Sequence, residues 1–182
     1  MTEPMKYGQT EFEVHLPPEL IAAELEPNQV DLPQRTTAEH IRWALDHPID
    51  SAPLKELVKA GDKVCVVISD VTRRWQAPDT YLPILIGELE AAGVRDEDIL
   101  ILSATGTHRR QTEEEHIGLV TKPVYDRIRV EDHVCTDQDN LAYVGTTSRG
   151  TPVWLDKRAL ACDKIILTGG VVYHFMAGFG GG

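Results

Sequence analysis

The sequence predicts an α/β fold: a mostly parallel, Rossmann-like sheet flanked by helices, preceded by a β/α segment and carrying one β-hairpin. Three observations point to it. Val64-Cys65-Val66-Val67-Ile68-Ser69 and Ile99-Leu100-Ile101-Leu102 are unbroken apolar runs, the pattern of strands covered on both faces. Between them Leu82, Leu85, Ile86 and Leu89 recur at helical spacing, which makes one βαβ unit with parallel strands. A third apolar run, Ile165 to Leu167, ends at Gly169-Gly170 and reads as a further buried strand. We expect one domain over 1–182, with a β/α segment over 1–60 and the Rossmann-like core over 61–182.

Taken in order, residues 7–16 alternate apolar and polar at Phe12, Val14 and Leu16, as a half-buried strand does, and Pro17-Pro18 ends it. Prolines and acids over 19–35 leave a connecting segment. Thr36-Thr37-Ala38-Glu39 has the form of a capping box, so a helix runs from about Thr37 to Asp46, and a second short helix spans Pro53 to Ala60. The helix through Leu82 is capped by Asp79 or Thr80 and ends near Gly93. Thr112-Glu113-Glu114-Glu115 is another capping box and opens a helix. A third strand lies around Ile128 to Val130. Leu141–Gly145 and Thr151–Leu155 form a hairpin attached to the sheet. A short helix over Asp156 to Cys162 feeds the last strand, after which an aromatic segment delivers His174 into a glycine-rich loop.

The chain has 182 residues, 42% of them hydrophobic and 26% charged, the balance of a soluble globular domain. Its net charge of −11 argues against nucleic acid and anionic membrane as partners, since both need a positive footprint. Arg73-Arg74 and His108-Arg109-Arg110 are the two local concentrations of positive charge, where a small anion can bind. No apolar run reaches the roughly 20 residues of a membrane helix, and the amino terminus lacks the apolar core of a signal peptide, so a cytoplasmic protein is expected. Cys65, Cys135 and Cys162 are odd in number and have no metal-like spacing, which suits small core residues in a reducing compartment.

Asp70 and His108 each follow a strand, and the crevice at the carboxyl ends of parallel strands is where such sheets bind ligands. His174 follows the terminal strand in the same way. A loop histidine exchanges protons near neutral pH. Asp70-x-Thr72-Arg73 sets an acceptor, a hydroxyl and a cation within four residues, and Arg73 can hold a carboxylate or phosphate through two parallel hydrogen bonds, or form a plain surface salt bridge. Thr105-Gly106-Thr107, ahead of a helix, can offer backbone N–H groups to a phosphate. Neither the P-loop nor the dinucleotide fingerprint occurs. His15, His40, His47, His116 and His133 read as solvated or as ordinary helix-end residues, and no metal-ligand cluster is apparent.

Three segments, Val67-Ile68-Ser69-Asp70-Val71-Thr72-Arg73, Ala104-Thr105-Gly106-Thr107-His108-Arg109 and Tyr173-His174-Phe175-Met176-Ala177-Gly178-Phe179-Gly180-Gly181, resemble in the same order the signature segments of the nickel-dependent lactate racemase family, over about residues 60–182. The resemblance implies a nickel pincer nucleotide as cofactor and racemisation of a small 2-hydroxy acid through a transient keto acid. It implies that His108 and His174 are the acid/base pair, that Asp70, Thr72 and Arg73 hold substrate or cofactor, and that Thr105, Gly106 and Thr107 lie against the nucleotide. Two departures stand out. Arg74 and Trp75 occupy the place where the family has proline. The sequence stops at Gly182, where the family continues with the Arg-Lys whose lysine anchors the cofactor, a later nickel-binding histidine and a second domain. The expectation is therefore the amino-terminal catalytic and cofactor-binding domain of a racemase or epimerase, inactive without its carboxyl-terminal domain. The alternative is a non-catalytic domain that binds a phosphorylated small molecule or a protein partner.

Overall fold

The computed structural model describes residues 2–26, 28, 29, 31, 33–174, 176 and 178–181. Contacts divide the chain into two compact units, Met1–Gln34 and Arg35–Gly182. The first is a hairpin of β1 (Thr2–Tyr7) and β2 (Thr10–His15), antiparallel from Thr2↔His15 to Tyr7↔Thr10. The single strand expected over 7–16 is thus only the second arm, because the chain reverses at Gly8 with φ +61°. Thr2–Tyr7 carries Pro4 and no apolar alternation, so its pairing is invisible in a one-dimensional pattern. His15 is exposed and bonds Thr2 through Nδ1 (2.9 Å). A 3-10 turn, Pro18–Leu20, follows.

The second unit opens with α1 (Thr37–Asp46). Glu39 accepts from the Thr36 N–H (2.7 Å) and donates its own N–H to Thr36 Oγ1 (3.3 Å), which closes the expected capping box. The second short helix is one turn, α2 (Leu54–Leu57). β3 (Val64–Ser69) pairs in parallel with β4 (Ile99–Ala104) from Val64↔Ile99 to Ser69↔Ala104. Between them runs α3 (Pro78–Ala91), whose start differs from expectation. Ala77, at φ +53°, turns the chain directly into Pro78 at the first helical position, so Asp79 and Thr80 fall inside the first turn instead of capping it. Gly93 ends the helix at φ +91°, and a Cβ there would stand 3.0 Å from Ala60 Cβ.

α4 (Glu113–Val120) and α5 (Lys122–Tyr125) lead to β5 (Arg129–His133), parallel to β4. β6 (Leu141–Thr146) and β7 (Pro152–Asp156) form the expected hairpin, but as a two-stranded sheet of their own without ladder bonds to the main sheet. After α6 (Lys157–Leu160), β8 (Lys164–Leu167) docks on the free side of β3, giving the order β5-β4-β3-β8. β9 (Val171–His174) and β10 (Gly178–Gly181) pair as a final hairpin, where a loop was expected.

Side chains of α3, α4 and α5 bury one face of the sheet: Leu82, Ile86, Leu89 and Leu119 meet Val64, Val66, Ile68, Ile99 and Ile101. The other face carries Cys65, Leu100 and Leu102 under Ala159. Its two-sided cover is why β3 is apolar at every position from 64 to 68. Burial pushes the Cys65 thiol up to about 12, the behaviour of an inert core residue, whereas Cys135 is exposed and does not serve the core. Among the described residues no helix is long and apolar enough to cross a membrane.

Candidate active site at the carboxyl edge of the sheet

Parallel strands put β3, β4 and β8 carboxyl ends on one edge, so the loops 70–76, 104–112 and 168–174 all leave from there. Asp70, the first residue after β3, is 4% exposed and caps the 3-10 turn Val71–Gln76. Its Oδ1 accepts from the Thr72 backbone N–H (3.1 Å) and from Thr72 Oγ1 (2.6 Å). Its Oδ2 is bonded to His108 Nδ1. Burial acts to raise the Asp70 carboxyl, but the Thr72 and His108 bonds outweigh it and hold the group below the ordinary carboxylate value.

His108 lies in the turn after β4, where its N–H bonds Thr105 O (3.0 Å) and Gly106 sits at φ +59°. Its side chain is half exposed. With Nδ1 committed to the buried carboxylate, Nε2 is the ring nitrogen left to meet solvent or a ligand. A carboxylate behind an imidazole fixes ring orientation and steadies the imidazolium form. The cleft in front of the pair measures about 260 Å³ and is lined by Asp70, Val71, Thr72, His108, Arg109 and Gln111.

The two local concentrations of positive charge behave differently. Arg109 is engaged, gripping Glu115 with both terminal nitrogens (2.8 and 2.7 Å), and holds the Glu115 carboxyl down at about 2. The Arg74 guanidinium lies against α4, where a Cβ on Gly118 would be 3.4 Å from Nη1. Arg73 is exposed, and among the described residues its guanidinium has neither an ion-pair nor a hydrogen-bond partner.

The Thr105-Gly106-Thr107 segment lies in the loop ahead of α4, as expected. α4 starts at Glu113, and its amino terminus is filled by Thr112, Glu115 and an acidic first turn. Thr105 is buried and donates its hydroxyl to His133 O, so only the backbone and Thr107 are left to meet a ligand. His174 ends β9, exposed, with Nδ1 accepting from the Met176 N–H (3.1 Å), and is not among the residues lining the cleft at Asp70. Its segment is anchored upstream: Thr168 donates N–H and hydroxyl to Val67 O (3.0 and 2.9 Å) and bonds Tyr81 OH (2.8 Å). Phe175 and Ala177 of the third signature segment lie outside the described residues.

Two histidines read as solvated are structural. His116 is buried and bonds Asp132 Oδ1 through Nε2 (2.9 Å), and His133 is half-buried with Nδ1 on Asp156 Oδ2 (3.0 Å). Three adjacent glutamates made the α4 helix look fully solvated, and the acidic partners lie on distant strands. Gln111 was missed for the same reason. Among the described residues no group of three or more His, Cys, Asp or Glu side chains is placed to hold a metal ion.

A match to the family described as "Lactate racemase N-terminal domain" covers residues 7–182. The chain is 33% identical over 145 residues to the lactate racemase of Lactiplantibacillus plantarum, covering 79% of this chain and 34% of that protein. It is 28% identical over 177 residues to the lactate racemase of Thermoanaerobacterium thermosaccharolyticum, covering 97% and 41%. The solved lactate racemase apoprotein from the latter organism superposes with a TM-score of 0.80 at 27% identity, over 99% of this chain and 41% of that one. A Thermotoga maritima protein superposes at 0.65 and 26% identity, over 80% and 36%. The chain thus spans well under half the length of these relatives.

Proposed function

The chain belongs to the lactate racemase N-terminal domain family, and from that premise we propose that it is the catalytic and cofactor-binding part of a longer 2-hydroxy acid racemase. The observation that carries the reading is the Asp70–His108 pair, a buried carboxylate behind a half-exposed imidazole at the strand ends.

In this reading His108 Nε2 takes the proton of the substrate hydroxyl as the α-carbon gives up its hydride, and returns it in the reverse step. Asp70 holds the ring by Nδ1 and compensates the charge that the imidazole gains. His174 performs the same task for the other enantiomer, whose hydroxyl is presented from a different direction. Arg73, with its guanidinium unpaired, grips the substrate carboxylate in a fork. The implied nickel pincer nucleotide supplies the hydride acceptor when bound. Gly106 and Thr107 fit its nucleotide portion: Gly106 has a left-handed φ and open space around the position of a Cβ.

The test is interconversion of lactate enantiomers by a chain of the relatives' full length. His108→Ala and His174→Ala are each expected to lower turnover by about 10²–10⁴, with an unchanged circular dichroism spectrum. Asp70→Asn is expected to lower it as well, since the ring loses its ionic partner. Native turnover in the double histidine variant would sink the assignment of the acid/base pair.

A further inference from the structure

Gln111 makes four hydrogen bonds. Its backbone N–H donates to Asp132 Oδ2 (2.8 Å), its Nε2 donates to Asp132 Oδ1 (2.8 Å) and Ser103 Oγ (2.8 Å), and its Oε1 accepts from the Val71 N–H (2.7 Å). Both amide protons and the carbonyl are used. Chemistry fixes the orientation, because a backbone N–H only donates and an ionised carboxylate only accepts. Ser103 is fully buried and Asp132 nearly so, and His116 Nε2 braces the same carboxylate at 2.9 Å.

Gln111 stands three residues after His108, and Val71, whose N–H donates to it, stands one residue after Asp70. Among the described residues only two hydrogen bonds join the 70–76 loop to the 104–112 loop: Asp70 to His108, and Val71 to Gln111. The first involves a half-exposed ring that solvent can compete for. The second is anchored through Asp132 to β5 and through Ser103 to β4.

We propose that Gln111 is a positioning residue: it clamps the two strand-end loops together and so holds the His108 ring on Asp70. The proposal rests on the reading of that pair as catalytic only for its consequence in turnover; the geometric claim stands by itself. A misplacement of about 1 Å in a reacting group costs on the order of 10² in rate, and a clamp of fully used polar atoms is the kind of support that prevents it.

The experiment has two readouts. In the 182-residue chain labelled with ¹⁵N, the ring Nδ1–H resonance of His108 is identified by its loss in Asp70→Asn. Gln111→Met, equal in length but without polar atoms, is expected to broaden or remove that resonance. So is Gln111→Glu, which faces Asp132 with a second carboxylate. Combining Gln111→Glu with Asp132→Asn exchanges donor and acceptor across the contact, and is expected to restore the resonance. Should Gln111→Met fail to fold, Gln111→Asn, one methylene too short to span to Val71, is held to the same result. In the full-length protein Gln111→Met is expected to lower kcat by about 10² with KM within about twofold. An undisturbed His108 resonance in the folded Gln111 variants would overturn the proposal, whatever happens to turnover. An active His108→Ala enzyme would instead overturn the racemase roles and leave the clamp standing.

Discussion

Trp75 lies two residues after Arg73, and its indole covers Gly170. A Cβ on Gly170 would lie 2.8 Å from Trp75 Cη2, 2.9 Å from Cζ3 and 3.0 Å from Gln76 Cγ. A side chain at Gly170 is thus opposed by its neighbour and not by its own backbone angle, and the Trp75 ring must shift to admit one, a dependence no reading of Gly169-Gly170 as a strand terminator contains. Gly170→Ala is expected to destabilise the protein by about 1–3 kcal/mol in urea unfolding. Trp75→Ala in the same chain is expected to relieve most of that loss, whereas simple additivity of the two changes would rule out the contact as its cause. At this scale the candidate site was half legible. Asp70, Thr72 and His108 stand beside apolar strands, so position alone marked them. Gln111, Asp132 and His116 carry no local mark, since the bonds that define them cross 8 to 40 residues of sequence.

Among the elements, the capping boxes were fully written in the sequence because a cap is satisfied within four residues. Thr36→Ala and Thr112→Ala are each expected to cost about 1 kcal/mol, measured by chemical denaturation; no loss from either would deny the caps their role. α6 shows the opposite case. It is only one turn long, yet its cap, Asp156, ties β5, β7 and the helix together. Asp156 accepts from the Arg158 N–H (2.9 Å), from Arg158 Nε and Nη2 (2.9 and 2.6 Å) and from His133 Nδ1 (3.0 Å). Burial alone would raise this carboxyl, but the Arg158 and His133 bonds hold it down at about 2. A folded-state value below the unfolded one stabilises the protein above the unfolded pKa, and the gain is lost as pH falls. About two units correspond to roughly 2–3 kcal/mol, fully present above about pH 5 and lost as pH falls from there through about 2. Asp156→Asn is expected to flatten the acid limb of stability against pH in that window, and an unaltered limb would contradict the network. The β1–β2 hairpin was half hidden because Thr2–Tyr7 lacks alternation, and nothing local in the β6–β7 sequence says that it forms a sheet of its own instead of joining the main one.

For the molecule as a whole, parallel pairing followed from unbroken apolar runs spaced by one amphipathic helix. The order β5-β4-β3-β8 did not, since nothing local says which side of β3 a later strand will take. The main core unites α3, α4 and α5 with the sheet, so its loss should propagate. Leu89→Ala, at a fully buried position, is expected to cost about 2–5 kcal/mol in a single unfolding transition of the 35–182 unit; a cost under 1 kcal/mol would mean that the helix is not part of one cooperative core. The strand order also fixes where the candidate site lies, because three loops distant in sequence leave the same ends of adjacent strands.

The late arrival of β8 carries a consequence for biosynthesis. Lys63 and Asp163 meet across a separation of 100 residues, the Lys63 N–H donating to Asp163 Oδ2 at 2.8 Å. As the chain leaves the ribosome, β3 can pair with β4 early, but its other edge stays bare until residues 164–167 emerge. For that interval the nascent protein displays Val64 to Val67 with unpaired N–H and C=O groups, a template for any passing strand. Until β8 closes it, that edge is where pairing with another chain is expected.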